Sequence, residues 1–183
     1  WQYRERATGS RFQWNDQNFN ANYGGITKNV WLHITDKLYQ TLPLYSNLQT
    51  TGVYVYASDI KVKSRKAMIH TESQIRNEHD KPMAVGYEVD IYYEGKRVSS
   101  FSGTPITVNP QETAMLEASA PLENIHFWSW GYGYLYHVVT RLIVDNKSID
   151  EVVTTTGFRK TRFGSGKVWL NDRVIQLKGY AQR

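Results

Sequence analysis

Apolar and polar residues alternate along much of this chain, which is the pattern of a β-strand with one buried and one solvated face. The alternation is clearest over residues 85–93, where Glu88 and Asp90 are predicted to face solvent. The face predicted to be buried holds Val85, Tyr87, Val89, Ile91 and Tyr93. Residues typical of turns (Gly, Asn, Asp and Pro) separate this run from others like it, so the pattern predicts short strands joined by turns.

The run 132–146 is the longest strand candidate, and it differs from the others in having apolar residues on both faces. From Leu135 onward, one face holds Tyr136, Val138, Leu142 and Val144, and the other holds Leu135, Val139 and Ile143. A strand that is covered on both faces lies inside its sheet and not at the edge. Residues 132–146 are therefore predicted to form a central strand.

Roughly seven such strands fall between Gly52 and Gly157, at spacings of about 8–14 residues. No helical period of useful length occurs, although Glu112–Ala118 contains good helix formers, and a helix there is an alternative to a strand. A further strand is predicted at 26–35, and a connector at 36–49. The sequence thus predicts an all-β fold, an immunoglobulin-like antiparallel β-sandwich with flanking β segments.

Composition and charge narrow the range of partners. The chain has 13 Tyr and 6 Trp, and most of these are expected to pack on the sheets. The net charge of +5 is spread along the chain, and no basic face interleaved with aromatic residues indicates nucleic-acid binding. No apolar run approaches the ~18 residues of a membrane span, so no membrane partner is predicted. The lack of cysteine excludes disulfides and thiol chemistry and is compatible with any compartment.

No group of residues in the sequence has the pattern of a catalytic centre. Glycoside hydrolysis needs two facing carboxylates, roughly 5–9.5 Å apart depending on the mechanism. The carboxylates considered for such a pair, all of them predicted to be solvated, are Glu88, Asp90, Asp145, Asp150 and Glu151. The five histidines lack a metal-binding spacing, so the sequence assigns no catalytic residue, no metal and no cofactor to this chain.

The aromatic cluster Phe127–Tyr136 is the remaining candidate for a functional site. Tyr and Trp have large apolar rings with a polar end, and they serve equally in cores and at binding surfaces. We interpret the cluster as a plug in the core of the sandwich, with a sugar-stacking platform as the alternative.

Four groups of residues resemble, in the same order, the motifs of glycoside hydrolase family 2. The first, Tyr23–Leu32, resembles the close of that family's sugar-binding jelly-roll domain. The next two resemble its immunoglobulin-like domain and the end of that domain, and they comprise Trp128, Tyr134–Tyr136 and Leu142, then Asp150 and Gly157–Arg159. The last resembles the hairpin that enters the catalytic barrel, and it comprises Leu170–Asp172 and Leu177–Gly179.

The resemblance implies a β-galactosidase-like parent enzyme that hydrolyses β-glycosides with retention, using two barrel glutamates beyond Arg183. Residues 1–50 would hold the end of the jelly roll and a connector, 51–157 the sandwich, and 158–183 the lead-in to the barrel. The implied partners are the carbohydrate substrate of the parent and its own jelly-roll and barrel domains. This chain would be a non-catalytic segment whose sandwich spaces the sugar-binding domain from the barrel.

The resemblance also implies the candidate substrate-binding residues. Asn18, Asn20 and Asn22 match the jelly-roll loop that reaches the sugar subsite in the family, and turn-forming asparagines are the alternative interpretation. The chain departs from the family pattern at Lys28-Asn29, where Arg-Asp is usual, and at 180–183, where Tyr-Ala-Gln-Arg replaces Asn-x-His.

Because the chain starts without Met and ends abruptly, we expect it to be part of a longer protein. Partial domains leave apolar faces uncovered, so self-association is also expected. A free-standing carbohydrate-binding or adhesive sandwich is the alternative function, and the coding region beyond Arg183 discriminates between the two hypotheses.

Overall fold

The computed structural model describes residue 26, residues 29–177 and residue 179. Across these residues the chain forms twelve strands and no helix, and therefore no helix long and apolar enough to cross a membrane. The chain divides into two compact units, and all twelve of the strands belong to the larger unit, Thr35–Leu177. In chain order they are β1 (Leu38–Gln40), β2 (Val53–Lys61), β3 (Lys66–Asn77), β4 (Met83–Tyr93), β5 (Lys96–Ser102), β6 (Ile106–Val108), β7 (Thr113–Leu122), β8 (Tyr136–Val144), β9 (Lys147–Thr156), β10 (Thr161–Gly164), β11 (Lys167–Leu170) and β12 (Arg173–Ile175).

The strands form three antiparallel sheets. In the first sheet, β3 pairs with β1, β2 and β7. In the second, β4 pairs with β5, β6 and β8, and β9 extends the sheet beyond β8. The short strands β10, β11 and β12 form a small third sheet. The first two sheets enclose one apolar core, which confirms the predicted all-β sandwich.

The core forms where the apolar faces of the two large sheets meet. The first sheet contributes Ile69, Ile75, Leu116 and Ala118, and the second contributes Val85, Tyr87, Val89, Ile91, Val138 and Leu142. Successive side chains of a strand point to opposite faces, so the alternation in the sequence specifies which residues reach the core. The inward face predicted for 85–93 is confirmed, with Tyr93 at its end only half-buried.

The predicted central strand is confirmed as β8, which lies between β4 and β9. Its inner face buries Tyr136 and Leu142, and Val139 is 7% exposed on the other face. The strand begins at Tyr136 and not at Tyr132. The preceding residues instead form a tight turn, in which Ser129 and Tyr132 exchange two backbone hydrogen bonds of 2.9 Å.

Residues 113–118 of the segment Glu112–Ala118 belong to the strand β7, and the alternative helix does not form. Leu116 and Ala118 are buried and Glu117 is exposed, which is a two-residue period. Pairing with β3 along its whole length overrides the helix propensity of Ala, Met, Leu and Glu.

Two predictions for the N-terminal third are wrong. Residues 29–35, inside the predicted strand 26–35, form no strand, and Val30, Leu32 and Ile34 are 76–87% exposed. An alternating pattern forms a strand only where a neighbouring strand accepts its hydrogen bonds, and the described residues contain none for this segment. Conversely, the predicted connector 36–49 contains β1, because Leu38 and Gln40 are buried against the sandwich.

Asp90 was predicted to be solvated and is instead buried, with 7% of its surface exposed. The guanidinium of Arg141 donates to Asp90 over 2.7 Å and to Glu151 over 2.7 Å, so it joins carboxylates of β4 and β9 across β8. Burial alone would raise the pKa of Asp90, but the Ser100 hydroxyl, Arg141 and the charge of Arg97 together lower it below the usual value. The ion pair with Arg141 thus compensates the charge of this buried, outward-facing carboxylate.

This ion pair gives the sandwich a pH-dependent stability. A carboxyl with a lowered pKa in the folded state stabilises the protein above its unfolded-state value, about 3.9, and the stabilisation is lost as the pH falls through the folded-state pKa. We expect the free energy of unfolding to fall below about pH 4, and to fall less steeply in Asp90→Asn. Urea unfolding across this range measures the slope, with Glu88→Gln as the exposed control on the same strand. A slope that Asp90→Asn leaves unchanged would contradict the ion pair.

Candidate functional site

Aromatic rings line up at one end of the sandwich, where β8 begins and β9 ends. We call this group the aromatic end; it comprises Tyr93, His126, Trp128, Trp130, Tyr132, Tyr134, Tyr136 and Phe158. Its ring centroids lie 6.2 Å apart between Tyr132 and Tyr134, 5.2 Å between Tyr134 and His126, 4.8 Å between His126 and Tyr93, 4.9 Å between Tyr93 and Tyr136, and 5.1 Å between Tyr136 and Phe158. These are the separations at which aromatic pairs stabilise each other.

Trp128 connects this end to the segment that follows β9. The backbone N–H of Trp128 donates to the Phe158 carbonyl over 2.8 Å, and the backbone carbonyl of Trp128 accepts from Asn171 Nδ2 over 3.0 Å. The Arg159 guanidinium lies 5.3 Å from the centroid of the Trp128 ring. A Cβ at Gly157 would lie 2.8 Å from Trp128 Cβ, so this close approach requires glycine. Trp128 thus holds the β10–β11 hairpin against the sandwich.

The aromatic end divides into a buried part and an exposed part. Tyr136 and Phe158 are each 2% exposed, as a core plug requires, and the hydroxyl of Tyr136 accepts from the His126 N–H over 2.8 Å. Burial raises the pKa of Tyr136 above its usual value. Trp130 and Tyr132, in contrast, are 85% and 63% exposed. Within the predicted plug Phe127–Tyr136, Tyr136 is in the core and Phe127 packs against it, whereas the turn at Trp130–Tyr132 is exposed.

The motif residues that suggested the family make structural contacts. Asp150 Oδ2 accepts from the backbone N–H of Gln40 over 2.8 Å and from its side-chain amide over 3.3 Å, so it fastens β1 to the second sheet. Asn171 holds both Trp128 and, through Oδ1, the N–H of Lys160. Leu142 fills the core. These residues shape the sandwich and the hairpin, and they form no reactive group.

The carboxylates considered in the sequence do not form a catalytic pair. Arg141 forms ion pairs with both Asp90 and Glu151. Asp150 accepts hydrogen bonds from Gln40, and Glu88 and Asp145 are exposed. Within the described ranges, no cluster of His, Asp and Glu side chains has the arrangement of a metal site. Asn18, Asn20 and Asn22 lie outside the described residues, so their role in sugar binding stays a prediction.

One pair of neighbouring carboxylates was not predicted from the sequence. Glu72 on β3 and Glu117 on β7 are direct cross-strand partners on the outer face of the first sheet. They line a groove of about 500 Å³, which we call the outer groove, together with Tyr56, His70, Ser102, Thr104 and Ser119. The polar face of each strand was visible in the sequence, but the register that puts the two glutamates opposite each other was not.

The comparison with protein families agrees with the motifs and the fold. The family described as glycosyl hydrolases family 2 matches residues 52–159, which is most of the sandwich. The chain belongs to this family. It is 33% identical to a beta-glucuronidase from Formosa agariphila over 93% of its own length, and 26% identical over 86% to a beta-galactosidase from Thermoanaerobacter pseudethanolicus. The solved structure of a family 2 beta-glucuronidase superposes with a TM-score of 0.74, at 31% identity and over 81% of this chain.

All three of these proteins are much longer than this chain. The chain spans 17% and 19% of the lengths of the two curated relatives, and 15% of the solved structure. Family membership therefore establishes a domain related to glycosidases, and it leaves the activity of the whole protein to be proposed.

Proposed function

We propose that this chain is a non-catalytic segment of a retaining β-glycosidase, and that its sandwich spaces a sugar-binding jelly roll from a catalytic barrel. In this proposal residues 1–50 end the jelly roll, 51–157 form the spacer and 158–183 lead into the barrel. The relatives named beta-glucuronidase and beta-galactosidase support a β-glycoside substrate for the whole protein. The jelly roll, the barrel and the carbohydrate are then the partners.

The observation that carries this proposal is that the aromatic end both holds the hairpin after the sandwich and exposes large rings. Trp128 and Asn171 fix the β10–β11 hairpin at this end, so the chain leaves the sandwich beside it. Trp130 and Tyr132 expose large rings at the same end. A patch of exposed apolar rings marks a site of contact with another domain or protein. We propose that the following domain covers this patch.

The chemistry of the described carboxylates also supports a segment without its own activity. Retaining hydrolysis needs one carboxyl group as nucleophile and a second as acid and base, about 5–5.5 Å apart and facing the sugar. Asp90 and Glu151 are paired with Arg141, and Asp150 accepts a hydrogen bond from Gln40. Glu72 and Glu117 lie in a groove that is open to solvent. An oxocarbenium-like transition state would remain in water there.

We expect the 183-residue chain to show no hydrolysis of 4-nitrophenyl β-glucuronide or β-galactoside above the buffer rate. Released nitrophenolate measures this directly. The matched positive control is the protein translated through the coding region beyond Arg183, assayed under the same conditions. Turnover by the short chain that disappears in Glu72→Gln or Glu117→Gln would disprove the non-catalytic assignment.

Hydrogen exchange on the same two proteins tests the spacer role. The amides around Trp130–Tyr132 are expected to exchange more slowly in the longer protein, because the following domain covers them. The exposed β4–β5 turn at Glu94-Gly95 serves as the reference. Equal exchange at Trp130–Tyr132 in both proteins would show that no domain covers the aromatic end.

A further inference from the structure

The outer groove has an aromatic wall whose rings are already ordered. The wall consists of Tyr56 and His70, whose ring centroids lie 4.8 Å apart with the planes only 10° apart. Tyr54, which does not line the groove, stacks on Tyr56 at 5.2 Å and supports it from behind. The Tyr56 hydroxyl donates to Glu72 Oε1 over 3.0 Å, and His70 Nε2 lies 2.8 Å from the Ser58 hydroxyl. A ligand that meets this wall need not order it, so little side-chain entropy is lost on binding.

The two glutamates make this groove unlike an ordinary sheet face. Like charges directly opposite each other on neighbouring strands destabilise a sheet, and Glu72 faces Glu117 in this way. The carboxylates are acceptors only, so together they offer lone pairs to a ligand that brings hydroxyl donors. The same charges repel a ligand that carries carboxylates of its own.

The opposite wall comes from the loop between β5 and β6, and it is fixed by backbone contacts. The Gly103 N–H donates to the Tyr87 carbonyl over 2.9 Å. A Cβ at Gly103 would collide with the carbonyl oxygen of Glu117, so glycine is needed for this loop to lie against β7. Ser102 and Thr104 thereby line the groove with hydroxyls. The volume of about 500 Å³ lies within the usual range for small-ligand sites.

From this wall, this charge and this volume, we propose that the outer groove binds an uncharged saccharide. A sugar presents C–H groups on its ring face and hydroxyls at its edge. The C–H face meets the electron-rich aromatic wall, and the hydroxyls donate to Glu72 and Glu117. The site lies on the first sheet, away from the hairpin, and it does not depend on the spacer role.

The test is a titration of the ¹⁵N-labelled 183-residue chain with a neutral tetrasaccharide, either cellotetraose or β-1,4-galactotetraose, followed by amide chemical shifts. We expect shifts confined to β2, β3, β7 and residues 102–104. Tyr56→Ala and Glu117→Gln should each weaken binding about tenfold, since a hydrogen bond to a charged group is lost or rearranged. A tetrasaccharide of β-linked glucuronate should bind at least about tenfold more weakly than the neutral one.

Two controls separate binding from folding. Tyr132→Ala and Glu151→Gln change the same residue types elsewhere on the surface and should leave the affinity unchanged. Glu117→Gln removes a like-charge contact, so its thermal stability should not fall, and lost binding cannot then be attributed to unfolding. Equal binding by wild type and Glu117→Gln, preference for the glucuronate, or no shifts with either neutral sugar would each overturn the proposal.

Discussion

Replacement of Tyr136 by alanine is expected to lower the free energy of unfolding by about 3–5 kcal/mol, the usual range for removal of a buried aromatic ring. The side chain is 2% exposed and lies between the rings of Tyr93 and Phe158, at 4.9 and 5.1 Å. Its hydroxyl also accepts from the His126 N–H. A domain is stabilised by only about 5–15 kcal/mol in total, so this single change should leave the sandwich close to unfolding.

The matched control for this experiment is Tyr136→Phe. It keeps the ring and removes only the hydroxyl, so it should cost about 1 kcal/mol. Leu142→Ala, on the same inner face of β8 and fully buried, is expected to cost about 2–5 kcal/mol. Urea unfolding with a constant slope measures all three changes. A loss below about 0.5 kcal/mol for Tyr136→Ala would mean that the core face of β8 is wrongly assigned.

The faces of β4 and β8 could be predicted because the side-chain period of a strand is two. Once Val89 and Leu142 are assigned to the core, the inward or outward direction of their neighbours follows. The same reasoning failed for Val30, Leu32 and Ile34. Their alternation is as regular, but a strand also needs hydrogen-bonding neighbours, and periodicity within one segment contains no information about those.

Pairings between residues far apart in the sequence account for the other features of the structure that could not be predicted. Asp90 and Arg141 are joined only because β4 and β8 are neighbours in one register, and Glu72 faces Glu117 for the same kind of reason. Without that register, an outward carboxylate is reasonably taken as solvated. The groove, which is the candidate binding site, could not be predicted from a sequence that shows Glu72 and Glu117 as separate polar positions.

The resemblance to family 2 located the residues that matter without giving their roles. Trp128, Asp150 and Asn171 could be singled out from their motifs alone. That Asp150 fastens β1, and that Asn171 holds the Trp128 carbonyl, follows from three-dimensional contacts between segments that are far apart in the chain. The motifs therefore predicted which residues would be important for the fold, and only the structure shows what each of them contacts.

Removal of the Gln40 side chain is the second change expected to have a large effect. Gln40 is 3% exposed, and its amide joins the two large sheets. The Ser73 and Thr140 hydroxyls donate to Oε1 over 2.9 and 2.7 Å, and Nε2 donates to the Thr140 carbonyl over 3.2 Å and to Asp150 Oδ2 over 3.3 Å. Gln40→Ala leaves these buried groups without their partner and opens a cavity, which should cost about 3–5 kcal/mol.

Two glutamine-to-methionine changes separate the polar loss from the cavity. Gln40→Met keeps most of the volume but leaves the Ser73 hydroxyl without its acceptor and removes both amide N–H bonds, so it should cost about 2–4 kcal/mol. The Thr140 hydroxyl keeps a second acceptor, the Val152 carbonyl, at 3.4 Å. Gln74→Met removes an amide whose Oε1 accepts from Thr41 Oγ1 and the Thr51 N–H, but Gln74 is only half-buried. Water can replace that amide, so the loss of unfolding free energy should be about 1 kcal/mol. Urea unfolding of the three variants compares these costs directly.

Gln40 also connects stability with the proposed spacer. The side chain fixes β1, which contacts both large sheets. β1 pairs with β3 of the first sheet, and the Gln40 backbone N–H donates to Asp150 Oδ2 of the second. If this anchor holds the preceding residues to the sandwich, Gln40→Met should speed hydrogen exchange at Leu38–Thr41 before it affects β4 and β8. Exchange that rises equally in all strands would show that Gln40 supports the core as a whole and has no separate role in holding β1.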